Sequence, residues 1–312
     1  MKPFQRTLSR VLFVCTLLAT PLASGAGVAD RFEFESYVQI AELFERLDYT
    51  EAAWQAGIRE VPRVFLADIP PRWRDKTSKS VTVKVKKELF FRALAPLALR
   101  SNELILAERT RLLALREAGA GTWSAGDQAW LSELAFRYGV TDAENEPMSP
   151  DALAELSARV DIVPVSLALS QAAEESGWAT SRFAAQGNAL FGQWTWGPHA
   201  MKPAQQRSKL GNYGIRAFGT PLESVAAYML NLNSHRAYAK LRARRAELRA
   251  AGEEPTGWLL AEMLDKYSER GAAYVKSLHA IMRVNRLTDA DEAYLAEGPD
   301  LLLVPVGEGA SR

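Results

Sequence analysis

Apolar positions recur at helical spacing along most of the chain, which predicts a mainly helical protein. Asp30 to Ala56 reads as amphipathic and acidic, with Phe32, Phe34, Tyr37, Ile40, Leu43 and Phe44 at roughly helical intervals. Pro62, Pro70 and Pro71 break up the stretch that follows. Val81, Val83 and Val85 alternate with Thr82 and Lys84, a pattern that fits a short strand or the approach to a helix. From Lys86 to Glu117 the spacing of Leu89, Phe90, Leu94, Leu97, Leu104, Leu106 and Leu112 predicts one or two long helices, with Pro96 as a kink or a boundary. Glycines and small residues from Glu117 to Asp127 mark a loop. A second loop, Thr141 to Pro150, ends in Ser149-Pro150, a cap followed by a first-turn proline.

One predicted helix carries candidate chemistry. Pro164 can open it, and a step of 100° per residue sets Val165, Ala168, Leu169, Ala172 and Ser176 on one face. Glu174 then points roughly opposite, towards water, while Glu175 falls on the flank of the apolar stripe near Ala168 and Ala172. Desolvation there raises the pKa of Glu175 and keeps it protonated, as a general acid requires. The alternative is an ordinary exposed glutamate at a helix C-terminus. A carboxylate at that end opposes the helix dipole and costs stability unless something else requires it.

The N-terminus bears on compartment. Lys2, Arg6 and Arg10 precede an apolar run from Val11 to Leu22, and Ala23-Ser24-Gly25-Ala26 offers small residues for cleavage. This has the form of a secretory signal peptide over residues 1–26, and it is too short for a stable membrane anchor. An uncleaved N-terminal anchor is the other reading. Cys15, the only cysteine, lies inside that run, so a mature chain would have no disulfide and would stand on its core alone. The leader holds three basic and no acidic residues, leaving 35 basic against 37 acidic of the chain's 38 and 37. That balance gives no case for nucleic acid binding. No second apolar run is long enough to span a membrane, so an exported protein of the periplasm or cell envelope is expected.

The segment QAAEESGWATSRFAAQGNALFGQW, residues 171–194, resembles the core of the peptidoglycan glucosaminidases. It is more similar still to the Bax-type bacterial proteins of that family, which carry the LFGQW ending. The resemblance extends to AFGTPLESVAAYMLNLNSHRAYAKLR and YSERGAAYVKSLHAIMRVNRL, and upstream to KKELFFRALAPLALRSNELILAERTRLLAL. It implies a lysozyme-like fold, mainly helical α+β, with a groove between a helical lobe and a small β lobe. The corresponding organisation is a helical extension at 27–130, a glucosaminidase domain at 131–287 and a surface tail at 288–312. The activity implied is cleavage of peptidoglycan glycan strands at the bond after N-acetylglucosamine.

By the same resemblance the catalytic glutamate of the E-S-G-W motif maps onto Glu175, while Glu174 occupies a position the family fills variably. The related enzymes use a tyrosine near the groove, for which Tyr274 is the first candidate and Tyr267 the second. Tyr228 and Tyr238 match other tyrosines of the pattern. Each tyrosine has the alternative role of a half-buried core aromatic. Asn188, Phe191, Gly192, Gln193, Trp194 and Trp196 supply the amides, glycine and aromatic faces expected to meet sugar rings, whereas Trp178 reads as core. Bax-type relatives carry a cysteine pair just after LFGQW; here Thr195 and Trp196 follow.

Glycosidases usually pair the acid with a second carboxylate. Gly192 to Thr220, the expected β lobe, contains none. Glu223 comes next, but Thr220-Pro221-Leu222-Glu223 reads as a capping box with proline in the first turn. Two routes remain: attack by the substrate's own 2-acetamido group, or a water held by a tyrosine and backbone carbonyls. Lys202, Arg207, Lys209 and Arg216 give that lobe a cationic character suited to the free carboxylates of stem peptides, or simply to a solvated loop. His199, His235 and His279 form no zinc pattern, no dinucleotide or nucleotide motif occurs, and no cofactor or metal is implied. The Arg-rich run His235 to Arg249 reads as a solvated helix face. The expected activity is an endo-β-N-acetylglucosaminidase. The alternatives are a lytic transglycosylase on the same fold, or a silent wall-binding protein. The extension is placed either to dock a partner or to restrict the groove.

Overall fold

Helices dominate, as the spacing predicts, in a computed structural model that describes residues 29–143, 146–198, 200–204 and 211–307. The expected leader, His199, Arg207 and Lys209 lie outside the described residues. Asp30 to Ala56 is not continuously helical. It divides into a strand β1 (Asp30–Phe34) and helices α1 (Tyr37–Arg46) and α2 (Glu51–Gln55). Phe32 and Phe34 stand two apart, an interval that also fits a strand, and β1 finds a parallel partner near the far end of the chain.

Strands β2 (Glu60–Val61) and β3 (Val64–Leu66) flank Pro62, and a short helical turn α3 (Ser78–Ser80) follows. Val81 to Val85 resolves as a helix approach. Thr82 caps α4 (Val83–Ala118), its hydroxyl accepting from the Val85 amide at 3.3 Å. Helix α4 continues through Pro96, which removes one backbone donor without ending the element.

Helices α5 (Ala125–Arg137) and α6 (Pro150–Arg159) come next, and the Ser149 hydroxyl caps α6 by accepting from the Ala152 amide at 3.1 Å. Beyond them lie α7 (Val165–Ser176), α8 (Arg182–Gly187), the strands β4 (Trp194–Thr195) and β5 (Gly214–Ile215), and helices α9 (Pro221–Ser234), α10 (Ala239–Ala250), α11 (Gly257–Ala261) and α12 (Ala272–Val284). Strands β4 and β5 pair antiparallel, Trp194 opposite Ile215, and form the small lobe that the resemblance implies.

The C-terminal segment corrects an expectation. Residues 288–312 were expected as a surface tail, but β6 (Tyr294–Leu295) pairs with β2, and β7 (Leu301–Pro305) is the central strand of a parallel sheet ordered β1-β7-β3. Leu303 of β7 is buried, opposite Phe32 on one side and Leu66 on the other. The extension and the tail therefore share one sheet and close the chain around the helical domain.

That closure fixes α7, which is buried on nearly every side against α4, α11 and α12. Pro164 offers no side-chain cap, so the orphan amides at its start take a partner from the tail. The Asp291 carboxylate accepts from the Ser166 amide and hydroxyl and from the Gly257 amide, each at 2.8 Å. A carboxylate at a helix N-terminus is favoured by the dipole. Gly257 must be glycine here, because a Cβ would lie 2.1 Å from the Ser166 hydroxyl oxygen and 2.6 Å from the Leu167 amide nitrogen. On the other flank, buried Asn102 of α4 exchanges two bonds with the Val163 backbone, at 2.8 and 3.1 Å.

Helix α10 supplies a second correction. It is not a wholly solvated face, since Arg242 and Arg245 point inward and are buried. Arg245 donates to the carbonyls of Ala158, Arg159, Asp161 and Ile162 and to the Asn233 amide oxygen, at 2.7–3.3 Å. It thus caps the C-terminal end of α6 in place of water.

Candidate active site

Glu175 stands one residue before the end of α7. That end is built by a run of left-handed residues, Gly177 at φ +57°, Trp178 at +63° and Ala179 at +60°. Non-glycine residues pay roughly 1–2 kcal/mol each for this conformation. The surroundings hold it in place. The Ser176 hydroxyl donates to the Ala172 carbonyl at 2.6 Å and accepts from the Ala179 amide at 2.8 Å. The Trp73 indole of the extension donates to the Trp178 carbonyl at 2.9 Å, and the Trp178 ring meets Phe90 and Phe91 edge-on at 5.4 and 5.3 Å. Trp178 packs against the core, as expected, and the extension grips the turn that follows the acid.

The two adjacent glutamates are both half-buried, so Glu174 does not stand clear in water as the helical geometry predicts. Glu174 pairs with Arg270, whose guanidinium also donates to the Ser277 hydroxyl at 2.7 Å. Glu175 is half-buried. Burial raises its pKa above the ordinary carboxylate range; the neighbouring Glu174 charge adds to this, while the Tyr274 hydroxyl and Arg270 oppose it. The net effect favours the protonated acid.

Tyrosines surround this group. Tyr274 is buried on α12, and burial, Tyr267 and the charge of Glu175 push its hydroxyl above the usual phenol range. Tyr267 stacks on Tyr274 with ring centres 5.3 Å apart, and Tyr238 lies 5.7 Å from Tyr267. Tyr228 on α9 is buried, with burial and the charge of Glu175 both pushing its hydroxyl above the usual phenol range. All four sequence candidates are thus brought together. The residue missed is Gln171, fully buried one turn before Glu175. Its Nε2 donates to the Tyr274 oxygen at 2.9 Å and its Oε1 accepts from the Tyr228 hydroxyl at 2.6 Å. The available signal was a carboxamide at i−4 from the acid, in a helix otherwise made of small and apolar side chains.

The LFGQW loop behaves unevenly. Two of its expected sugar-binding residues, Asn188 and Phe191, are buried instead, as is Tyr228 of α9. Asn188, at φ +51°, spends its carboxamide inside the protein, accepting from the Ile69 amide at 3.0 Å and donating to the Phe218 and Gly219 carbonyls at 3.3 and 3.2 Å. Its amide joins the extension to the domain and leaves little capacity for a sugar. Phe191 and Tyr228 lie face to face at 3.8 Å and are closed to solvent, so they support the site from behind. Gly192 takes φ +62° at the turn leading into the β lobe.

Beyond that turn the side chains open outward. The Gln193 amide oxygen is buried without a hydrogen-bond partner among the described residues. Trp194 is 47% exposed and leans on Tyr213 at 4.8 Å, and Trp196 is 64% exposed. Of the described cations in this lobe, Lys202 donates to Asn212 and Arg216 sits 4.9 Å over the Phe218 ring.

Among the described residues, the carboxylate that acts on Glu175 is Glu174, and it is paired with Arg270. Glu223 caps α9: its amide donates to the Thr220 hydroxyl at 3.2 Å and its carboxylate accepts from the Gly219 amide at 2.9 Å. Outside the site, His235 caps a turn through the Ala237 amide, and His279 stacks on Trp258 at 3.9 Å. None of the described helices is long and apolar enough to cross a membrane.

Residues 150–287 match the family model described as Glucosaminidase, mannosyl-glycoprotein endo-beta-N-acetylglucosaminidase. Over 202 residues the chain is 36% identical to Protein bax of Escherichia coli (strain K12), an alignment that covers 64% of this chain and 70% of that protein. No solved structure matches the chain.

Proposed function

We propose that this chain, which belongs to the Bax-type glucosaminidase family, is an exported peptidoglycan hydrolase that cleaves the β-1,4 bond after N-acetylglucosamine. The observation that carries the reading is Glu175: a half-buried carboxyl whose pKa is raised by burial, on the motif helix of a glucosaminidase domain. The LFGQW loop is tied to it through the Phe191–Tyr228 stack and the Tyr228–Gln171–Tyr274 bonds. Glu175 acts as general acid, giving its proton to the glycosidic oxygen as the bond to the anomeric carbon breaks. With Glu174 paired to Arg270 and Glu223 committed to a helix cap, no protein carboxylate is assigned as nucleophile. The second bond to the anomeric carbon then comes from the substrate's 2-acetamido oxygen or from a water held near the tyrosines. The expected leader supports export to the periplasm or cell envelope, with glycan strands as the partner.

The test is digestion of purified sacculi, borohydride reduction and mass spectrometry of the released ends. Reduced N-acetylglucosamine ends are expected. Anhydro-muramic ends would reassign the protein as a lytic transglycosylase, and release of nothing would favour a wall-binding role.

The aromatic faces of the β lobe give a separate expectation. Trp194→Ala should raise KM about 2–10-fold with kcat little changed, because a stacking surface serves substrate and transition state alike. Steady-state kinetics on solubilised glycan strands check this; a fall in kcat at constant KM would remove Trp194 from the binding surface.

A further inference from the structure

A second cleft opens on the side of α7 away from the tyrosines. Its floor is Leu169, which stands about 200° around the helix from Gln171, so the two sites share no wall there. The cleft holds about 440 Å³, within the usual range of ligand pockets. Helices α2 and α4 of the extension form one side; Val284, at the end of α12, and the segment Asn285 to Ala290 form the other. Trp54, Phe91, Leu169 and Leu287 give it apolar walls, and Val284 at the rim is 68% exposed. At one end Lys87 lies 5.0 Å over the Trp178 ring, which Phe91 meets edge-on at 5.3 Å. The cleft thus reaches the turn that follows Glu175.

Charge decides what the cleft can take. Four cations and two acids line it, in a chain whose 38 basic and 37 acidic residues nearly cancel. Lys84 is paired with Glu51 at 2.7 Å and Arg92 with Glu88 at 2.6 Å. Lys87 and Arg286 form no ion pair among the described residues, so the cleft keeps two uncompensated positive charges beside apolar walls. A polyphosphate would meet Glu51 and Glu88 at close range, and a lipid tail would meet six charged side chains. A peptide with more carboxylates than amines suits the set: its acids meet the free cations, its amine meets a glutamate, and its aliphatic parts lie on Trp54 and Phe91. We propose that this cleft is a second wall-binding site, which takes the carboxylate-bearing stem peptides of peptidoglycan between Lys87 and Arg286. The choice of stem peptides rests on the reading of peptidoglycan as the polymer bound. Of the two roles open to the extension, docking or restricting the groove, the cleft assigns docking, with wall peptide as the docked partner.

The experiment titrates the full chain with stem tetrapeptides released from sacculi by an amidase, followed by calorimetry and by amide NMR shifts. Binding is expected to move the amides of Leu169, Val284 and Arg286 and to leave those of Trp194 and Trp196 in place. Added salt should weaken it several-fold, because charges at the rim are screened. Lys87→Gln and Arg286→Gln should each weaken binding about 3–10-fold, and the double variant about 10-fold or more. Val284→Glu sets a negative charge at an exposed rim position and should weaken it as well. Absence of peptide binding, equal affinity for peptides with methylated carboxyls, or unchanged affinity in the double variant would overturn the site. Charge-dependent capture of anionic phospholipid vesicles in place of peptide would overturn it too. If the double variant does not fold, unchanged affinity in Val284→Glu overturns it equally. Digestion of sacculi is read in parallel. Inactive wild type that binds peptide rejects the hydrolase and keeps the cleft, whereas active wild type that ignores peptide does the reverse.

Discussion

Glu175→Gln is expected to lower hydrolysis of sacculi by about 10²–10⁴-fold, the range over which a positioned general acid contributes. Glutamine has nearly the same shape and fits the same half-buried space, so the loss is one of proton donation and not of folding. The loss should fall on kcat and kcat/KM together, because the proton is transferred only as the bond breaks. The same assignment fixes a pH dependence. The acid works while protonated, so activity should decline as pH rises through the Glu175 pKa. Burial places that decline above the range of an ordinary carboxylate. Glu174→Gln removes a neighbouring negative charge and frees Arg270, both of which favour ionised Glu175, so the alkaline limb should move to lower pH while substantial activity remains. Initial rates across a pH series for the three proteins check both statements. A Glu175→Gln protein as active as wild type would withdraw the assignment.

Much of this site was legible because short-range rules govern it. Pro164 and Gly177 bound α7, Ser149-Pro150 opens α6, and a helical step from the apolar stripe separates Glu175 from Glu174. What escaped notice depends on partners far away in sequence. Phe32 and Phe34 fit a helix or a strand equally over five residues, and the choice is made by pairing with Leu301 to Pro305, some 270 positions on. The run Leu301-Leu302-Leu303-Val304 has the continuous apolar character of a strand enclosed in a parallel sheet, but a tail position hid it. Asn188 looked like a ligand for sugars because an amide in an aromatic loop suits that task. Its partners, the Ile69 amide and the Phe218 and Gly219 carbonyls, come from two separate segments. Likewise the inward turn of Arg242 and Arg245 could not be read from an arginine-rich helix, since long cationic side chains are ordinarily solvated.

The arginines of α10 lead to the largest expected effect on stability. Asp161 joins α6 to α7 and is almost fully buried, 3.0 Å from Arg249, 3.5 Å from Arg109 and 3.8 Å from Arg245. Burial alone would raise its pKa, but the Arg249 hydrogen bonds and the charges of Arg245, Arg109 and Arg249 outweigh it and hold the carboxyl below its ordinary value. Asp161→Ala should therefore destabilise the protein by about 3–5 kcal/mol, the cost of leaving a buried cation without its counter-charge. Arg245 cannot withdraw to water, because both terminal nitrogens of its guanidinium are bound to the carbonyls at the end of α6 and to Asn233. Arg249→Gln should cost much less, as its side chain is partly exposed and two other arginines remain around Asp161. The sign with pH follows from the lowered pKa. The unfolded chain binds this proton more readily, so the Asp161 contribution is complete above the unfolded value near 3.8 and is lost as pH falls through the lower folded value. Urea unfolding of wild type, Asp161→Ala and Arg249→Gln at neutral pH measures the difference, and repetition from pH 5 downward should bring wild type towards Asp161→Ala. Equal midpoints for Asp161→Ala and Arg249→Gln at neutral pH would show that the cluster is not the support on which the approach to α7 rests.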